Sequence, residues 1–174
     1  MSKPREYVII GVDPGLTTGI KVYANRAGRE PVLGHDQVDR SDIAPYLASL
    51  IALWVEEVGG ANVHIAVEKY IITKRTATLS QQPDALEITG MVKGFAATEA
   101  RRGAITVHQI MKGNLKFASD DMLKRLGWYV PGKRHANDAA RQAFALLKMV
   151  DPPHWNDLVR SVMLEPEDEG RKTP

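Results

Sequence analysis

Tyr7-Val8-Ile9-Ile10-Gly11-Val12-Asp13-Pro14-Gly15 is the stretch whose reading decides the fold. Its first six residues are apolar and rich in β-branched side chains, so they read as a buried strand. Asp13-Pro14-Gly15 then breaks the run with turn residues. A carboxylate at the C-terminal end of such a strand faces the crevice where α/β sheets hold ligands. Asp is also a common turn former, and by itself Asp13 supports either role.

Outward from this strand the pattern is that of a layered α/β domain. Residues 19–23 and 32–38 read as further strands joined through the polar stretch 25–30, an antiparallel meander. Ser41 is placed to cap a helix in which Ile43, Leu47, Leu50, Ile51, Trp54 and Val58 recur at helical spacing, and Gly59-Gly60 ends it. Residues 63–67 form a second buried strand that ends at Glu68. After a polar, basic loop over 71–82, Pro83 or Asp84 opens a long helix to about Arg101, with Leu86, Met91, Val92 and Phe95 as apolar positions. Residues 104–109 give another strand, followed by a weaker helix and then a short one capped by Ser119 and stopped by Gly127. A basic loop over 131–134 leads to His135 and a helix carrying Ala139, Ala140, Ala143, Phe144, Leu147 and Met149, which Pro152-Pro153 end. The expected architecture is a single α/β domain over 1–164, a mixed sheet flanked by helices, with residues 165–174 a disordered acidic tail.

Composition narrows the function. The 174 residues are 44% hydrophobic and 25% charged, the profile of a soluble globular chain. There is no cysteine, which excludes disulfides, thiolate metal sites and cysteine nucleophiles and fits a reducing cytoplasm. Residues 1–7 lack the apolar stretch of a leader peptide, and no segment approaches a membrane span. The net charge is only +2, but residues 101–148 hold ten Lys or Arg against three Asp, whereas 165–174 hold four acids against two bases. A basic body beside an acidic tail points to a polyanionic partner, with a merely solvated basic face as the alternative.

Three carboxylates and a histidine carry the candidate chemistry. Glu68 repeats the placement of Asp13, and if the two strands are neighbours the acids stand side by side, where mutual repulsion calls for a cation. His135 and Asp138 share one face of a helix, and Ala139, Ala140 and Ala143 are small enough to let that helix press on a sheet. Against this stands a local reading in which His135 or Asn137 only caps the helix and Asp138 answers its dipole. Oxygen donors with one imidazole suit Mg²⁺, with Mn²⁺ as substitute, and two such ions can drive phosphodiester hydrolysis. Glu87 is a further acid on the long helix, a solvated side chain more readily than an extra ligand. Lys69, Lys74, Arg75, Lys112, Lys116, Lys133, Arg134 and Arg141 surround the acids and are expected to meet phosphates. Tyr70, Trp128 and Tyr129 are candidates for stacking on bases, the last two equally for the core.

Four pieces together bear a family likeness. Ile10-Gly11-Val12-Asp13-Pro14-Gly15 with Gly19 four residues on, the acidic strand ending at Glu68, Asp84-Ala85-Leu86 with Gly90 and Gly94, and His135-Ala136-Asn137-Asp138-Ala139 resemble, in order over residues 7–150, the RuvC-type Holliday junction resolvases. The resemblance implies a ribonuclease H-like fold, a homodimer and Mg²⁺-dependent nicking of branched DNA, in the bacterial cytoplasm or nucleoid or encoded by a phage. Asp13, Glu68 and Asp138 take the catalytic carboxylate positions and His135 the fourth. The chain departs from the bacterial pattern at Phe117-Ala118-Ser119-Asp120-Asp121, where those enzymes usually carry another lysine before a helix. The departure opens forks and flaps, beside four-way junctions, as substrates. Two other functions compete: a nucleotide-binding module of the actin and sugar-kinase class, whose first phosphate loop resembles Asp13-Pro14-Gly15, and a non-catalytic DNA-binding protein of the same fold. The first needs a second phosphate loop and a second domain, which this length does not supply.

Overall fold

Strand β1 (Tyr7–Asp13) is apolar on both sides because it lies in the middle of the molecule. In the computed structural model, which describes residues 6–57, 62–70, 82–101 and 104–164, it is the central strand of five. β2 (Thr17–Asn25) and β3 (Val32–Asp39) extend the sheet on one side as the expected antiparallel meander. β4 (Asn62–Glu68) and β5 (Ile105–Ile110) extend it on the other, both parallel, giving the order β3-β2-β1-β4-β5. Helices α1 (Ile43–Glu57) and α2 (Gln82–Glu99) supply the crossovers that parallel strands require.

Strand parity divides the core in two. Val8, Ile10 and Val12 of β1, with Ile20 and Val22 of β2 and Val63, Ile65 and Val67 of β4, pack against Ile43, Leu47 and Ile51 of α1 and Ile88, Val92 and Ala96 of α2. Residues of the other parity meet α4 (Arg134–Val150) and α5 (Pro152–Leu164) through Tyr7, Ile9, Tyr23, Phe144 and Leu147. Asp13 and Glu68 belong by parity to this second face, the one on which α4 lies.

The structure differs from the sequence expectation at two places. The weak helix after β5 is a single 3-10 turn, Lys112–Leu115, followed by the short helix α3 (Asp120–Arg125), whose cap is Ser119 as expected. Pro152-Pro153 do end α4, but they also begin α5, because proline at the first helical positions lacks only an N–H that would have no partner there. Asp151 Oδ1 accepts the His154 amide at 3.3 Å, and Trp155, Leu158, Val159 and Val162 give α5 its apolar face. On α2, Met91 and Phe95 are half-buried and pack against the first of these two cores. The proposed tail, residues 165–174, lies outside the described residues. No helix among the described residues is long and apolar enough to cross a membrane.

Two glycines decide how closely α4 approaches the sheet. A side chain at Gly11 would run into the Ala139 carbonyl oxygen, and one at Gly19 would run into the carbonyl of His135. The helix answers with Ala136, Ala139, Ala140 and Ala143, all buried. Backbone therefore lies on backbone, and His135 and Asp138 reach the sheet although their own side chains are not long.

Candidate active site

Parallel pairing of β1 and β4 sets the first two acids together. Val12 is the register partner of Val67, so Asp13 and Glu68, the next residue on each strand, stand abreast at the C-terminal ends of two interior strands. Helix α4 brings the others from the far end of the chain: His135 Nδ1 lies 2.9 Å from Asp13 Oδ2 in a hydrogen bond. Asp13, Glu68, His135 and Asp138 line one cleft of about 460 Å³ together with Leu16, Tyr70, Lys112 and Arg134. An adjoining hollow shares the three acids and adds Lys116, Arg141 and Gln142.

Helix α4 is held in this position from outside itself. Neither His135 nor Asn137 caps it; the residue preceding the helix, Lys133, offers no side-chain acceptor. Instead Gln37 of β3 reaches across, its Oε1 accepting the His135 amide at 3.0 Å and the Ala136 amide at 3.4 Å. Asn137 faces backward and clamps the preceding loop, accepting from the Val130 amide at 2.8 Å and donating to the Val130 carbonyl at 2.9 Å. Buried Lys21 donates to the Trp128 carbonyl at 3.2 Å, tying the same loop to β2; burial lowers its pKa to about 8. Neither Gln37 nor Lys21 carries a sequence signal for this role, since each acts on a helix or loop about a hundred positions away. Gln37→Ala is expected to lower stability by about 1 kcal/mol, the usual worth of a helix cap. It should also loosen His135, visible as increased amide exchange in residues 134–137.

The electrostatics favour a cation. Asp13 has its pKa raised to about 6, first by burial, with the Asp138 and Glu68 carboxylates adding to the rise and the His135 hydrogen bond opposing it. Arg141 takes up part of the negative charge: its guanidinium meets Asp138 at 2.5 Å, Asp120, and the Ala118 carbonyl at 3.1 Å. Arg134 stands 3.9 Å from Asp138 with its side chain almost fully in solvent. As the side chains lie, no three His, Asp or Glu among the described residues surround one point closely enough to hold an ion. The donor set fits a hard divalent cation all the same. It has three carboxylates and one imidazole on a single cleft, and one of the acids is buried where its charge is opposed.

The remaining sequence candidates separate clearly. Lys112 and Arg134 line the cleft, Lys116 lines the adjoining hollow, and Tyr70 stands half-buried at the cleft. Lys69 is exposed and its amide is bonded to Ile110 of β5. Lys133 lines a neighbouring hollow with Arg134 and Tyr129. Arg141, expected to meet phosphate, is spent on the three internal partners just described. Lys74 and Arg75 lie outside the described residues. Trp128 is core, stacked on Tyr23 at 5.1 Å between ring centres, so it is not a base-stacking platform. Glu87 pairs with Arg40 at 2.5 Å, and Arg40 also binds buried Asp84; Glu87 is not among the residues lining the cleft.

A five-stranded mixed sheet in the order β3-β2-β1-β4-β5, flanked by helices, is an α/β fold of the ribonuclease H-like type. No family model matches the sequence, and no curated protein matches it either. Solved structures do match. The structure of T. thermophilus RuvC in complex with Holliday junction substrate superposes with a TM-score of 0.53 at 17% identity, over 83% of this chain and 96% of that one. Another Thermus thermophilus RuvC structure gives 0.55 at 16% identity, over 82% and 96%. The yeast mitochondrial Holliday junction resolvase Ydc2 gives 0.50 at 13% identity, over 88% and 80%. Within that class, the fold of this chain is therefore the RuvC-like resolvase fold, as the sequence resemblance implied.

Proposed function

We propose that the protein is a metal-dependent endonuclease that hydrolyses phosphodiester bonds in branched DNA. The observation that carries the proposal is the gathering of Asp13, Glu68, His135 and Asp138, from two strands and a distant helix, on one open cleft edged by Lys112 and Arg134, with Lys116 in the adjoining hollow. Asp13, Glu68 and Asp138 would hold Mg²⁺ or Mn²⁺, with His135 beside them. Two ions would supply charge neutralisation at the scissile phosphate and acidify the attacking water. The chain's own part is to position. Asp13 orients the His135 ring, which faces the cleft and can align or deprotonate water. Arg141 holds Asp138 in place. Lys112, Lys116 and Arg134 draw the phosphate backbone in. The structural likeness to resolvases, one of them solved with a Holliday junction, supports branched DNA as the substrate.

A cleavage panel tests the reading: four-way junction, fork, flap, single strand and plain duplex, each with Mg²⁺ and with EDTA. Cutting of at least one branched DNA that EDTA abolishes and Asp138→Asn abolishes is expected. Absence of metal-dependent cutting on every substrate would return the chain to the non-catalytic DNA-binding alternative. In the same assay Lys112→Ala and Lys116→Ala should weaken binding to all DNAs alike, each flattening the log–log salt dependence by about one unit. If affinity and slope stay put, these lysines are only solvated.

Paired cutting of a junction needs two such clefts, and the chain offers one, so we propose a homodimer as the working form. Because Met91 and Phe95 are engaged internally, the side of α2 left for a partner is the exposed row Leu86, Gly90, Lys93 and Ala97. Light scattering reads the outcome directly: the expected mass is twice 19.2 kDa. A monomer both free and on a junction would remove the dimer from the proposal.

A further inference from the structure

His64 and His108 stand together on the same face of β4 and β5 as the cleft but toward the opposite end of β4. His64 is four residues before Glu68 on one strand, about 13 Å away at the rise of a strand. Its Nδ1 lies 3.2 Å from Nε2 of His108, and the rings are 5.4 Å apart. The register explains the pair: His64 lies opposite Thr106 and Ala66 opposite His108, so the two rings are diagonal neighbours on one face. Both rings are part-exposed and open into a cavity of about 370 Å³ that Tyr7, Asn62, Met149 and Val150 also line. Among the described residues, no acidic side chain lines that cavity.

We infer that His64 and His108 form a two-imidazole site for a borderline-soft divalent cation of the zinc, nickel or copper kind. The geometry is the argument. Two imidazoles binding one tetrahedral ion at about 2.0–2.1 Å place their nitrogens roughly 3.3 Å apart, close to the separation seen here. Imidazole donors without carboxylates select these cations over Mg²⁺. Burial lowers the pKa of both rings, and the neighbouring ring adds to the lowering at His64, which keeps them in the neutral, ligating form. The proton that now bridges the two nitrogens moves to the outer nitrogen of the same ring when a cation takes its place, so no charge is lost or gained by the pair. The other coordination positions face the cavity and take water. Bound there, the cation clips the edge strand β5 to β4, independently of the catalytic cleft and of any reading of it.

The test is a calorimetric titration of the full chain with ZnCl₂ and with NiCl₂ in the presence of millimolar Mg²⁺, alongside Asp138→Asn, His64→Gln and His108→Gln. One equivalent of cation is expected to bind the unaltered chain and Asp138→Asn alike. Either histidine substitution should weaken binding at least about tenfold, equivalent to about 1.4 kcal/mol. The bound ion should also raise the melting temperature of the unaltered chain and not of the histidine variants. Because both rings are part-exposed, circular dichroism should show both variants folded. If one of them is not, histidine ring resonances in the unaltered chain, shifted by Zn²⁺ at His64 and His108 and not at His135, decide instead. No binding, binding that survives loss of either histidine, or binding lost in Asp138→Asn would each overturn the inference, leaving the pair as a hydrogen bond between two strands.

Discussion

Asp13→Asn is expected to melt at a higher temperature than the unaltered chain at pH 7.5 without divalent metal, and to cut no DNA. Asp13 is largely buried and its pKa is raised to about 6, first by that burial and then by Asp138 and Glu68. A carboxyl that binds its proton more tightly folded than unfolded contributes stability below its ordinary pKa near 4 and loses that contribution as pH rises past about 6. At neutral pH the folded chain therefore carries a buried charge at a cost on the order of 2–3 kcal/mol. Asparagine carries no charge and keeps an amide oxygen for His135. The difference between the two proteins should vanish below about pH 4 and grow through pH 6, read by melting temperature against pH. Adding Mg²⁺ or Mn²⁺ should raise the melting temperature of the unaltered chain and leave Asp13→Asn nearly unmoved. If Asp13→Asn is the less stable protein at pH 7.5, Asp13 is a structural partner of His135 rather than an acid awaiting a cation.

Gly19→Ala is expected to cost about 3 kcal/mol and to reduce cutting at least 100-fold in whatever protein remains folded. Gly19 is the cross-strand partner of Asp13, and the carbonyl of His135 rests directly on it. A methyl group there cannot be absorbed by a rotating side chain, because the neighbouring atoms are backbone at the first turn of α4. The helix must lift, and His135 and Asp138 lift with it, away from Asp13 and Glu68. The matched control is Gly34→Ala on β3, where the added carbon would meet Val22 at an ordinary 3.5 Å. That change should leave melting temperature and activity near those of the unaltered chain. Equal behaviour of the two variants would show that close backbone contact is not what places α4.

Much of this molecule is written locally. The buried run before Asp13, its repetition before Glu68, the helical spacing from Ile43 and the small face of Ala139, Ala140 and Ala143 depend on neighbours within a strand or a few helical turns. Periodicity along the chain reports them, as it reports that Asp13 and Glu68 close their strands. The same locality misled at Pro152-Pro153, where a stop signal was also a start signal. What only the tertiary structure decided depends on contacts between distant residues. It set Asp13 and Glu68 abreast through the in-register pairing of β1 with β4. It capped α4 with Gln37 from β3, about a hundred residues away, and turned Arg141 inward to Asp138 and Asp120. It also brought His64 against His108 from separate strands. The sequence by itself determined the elements and which residue types they would offer to a site; register, helix placement and side-chain pairing were decided by packing, because one helix pressed onto two glycines is a property of three segments at once and of none of them alone.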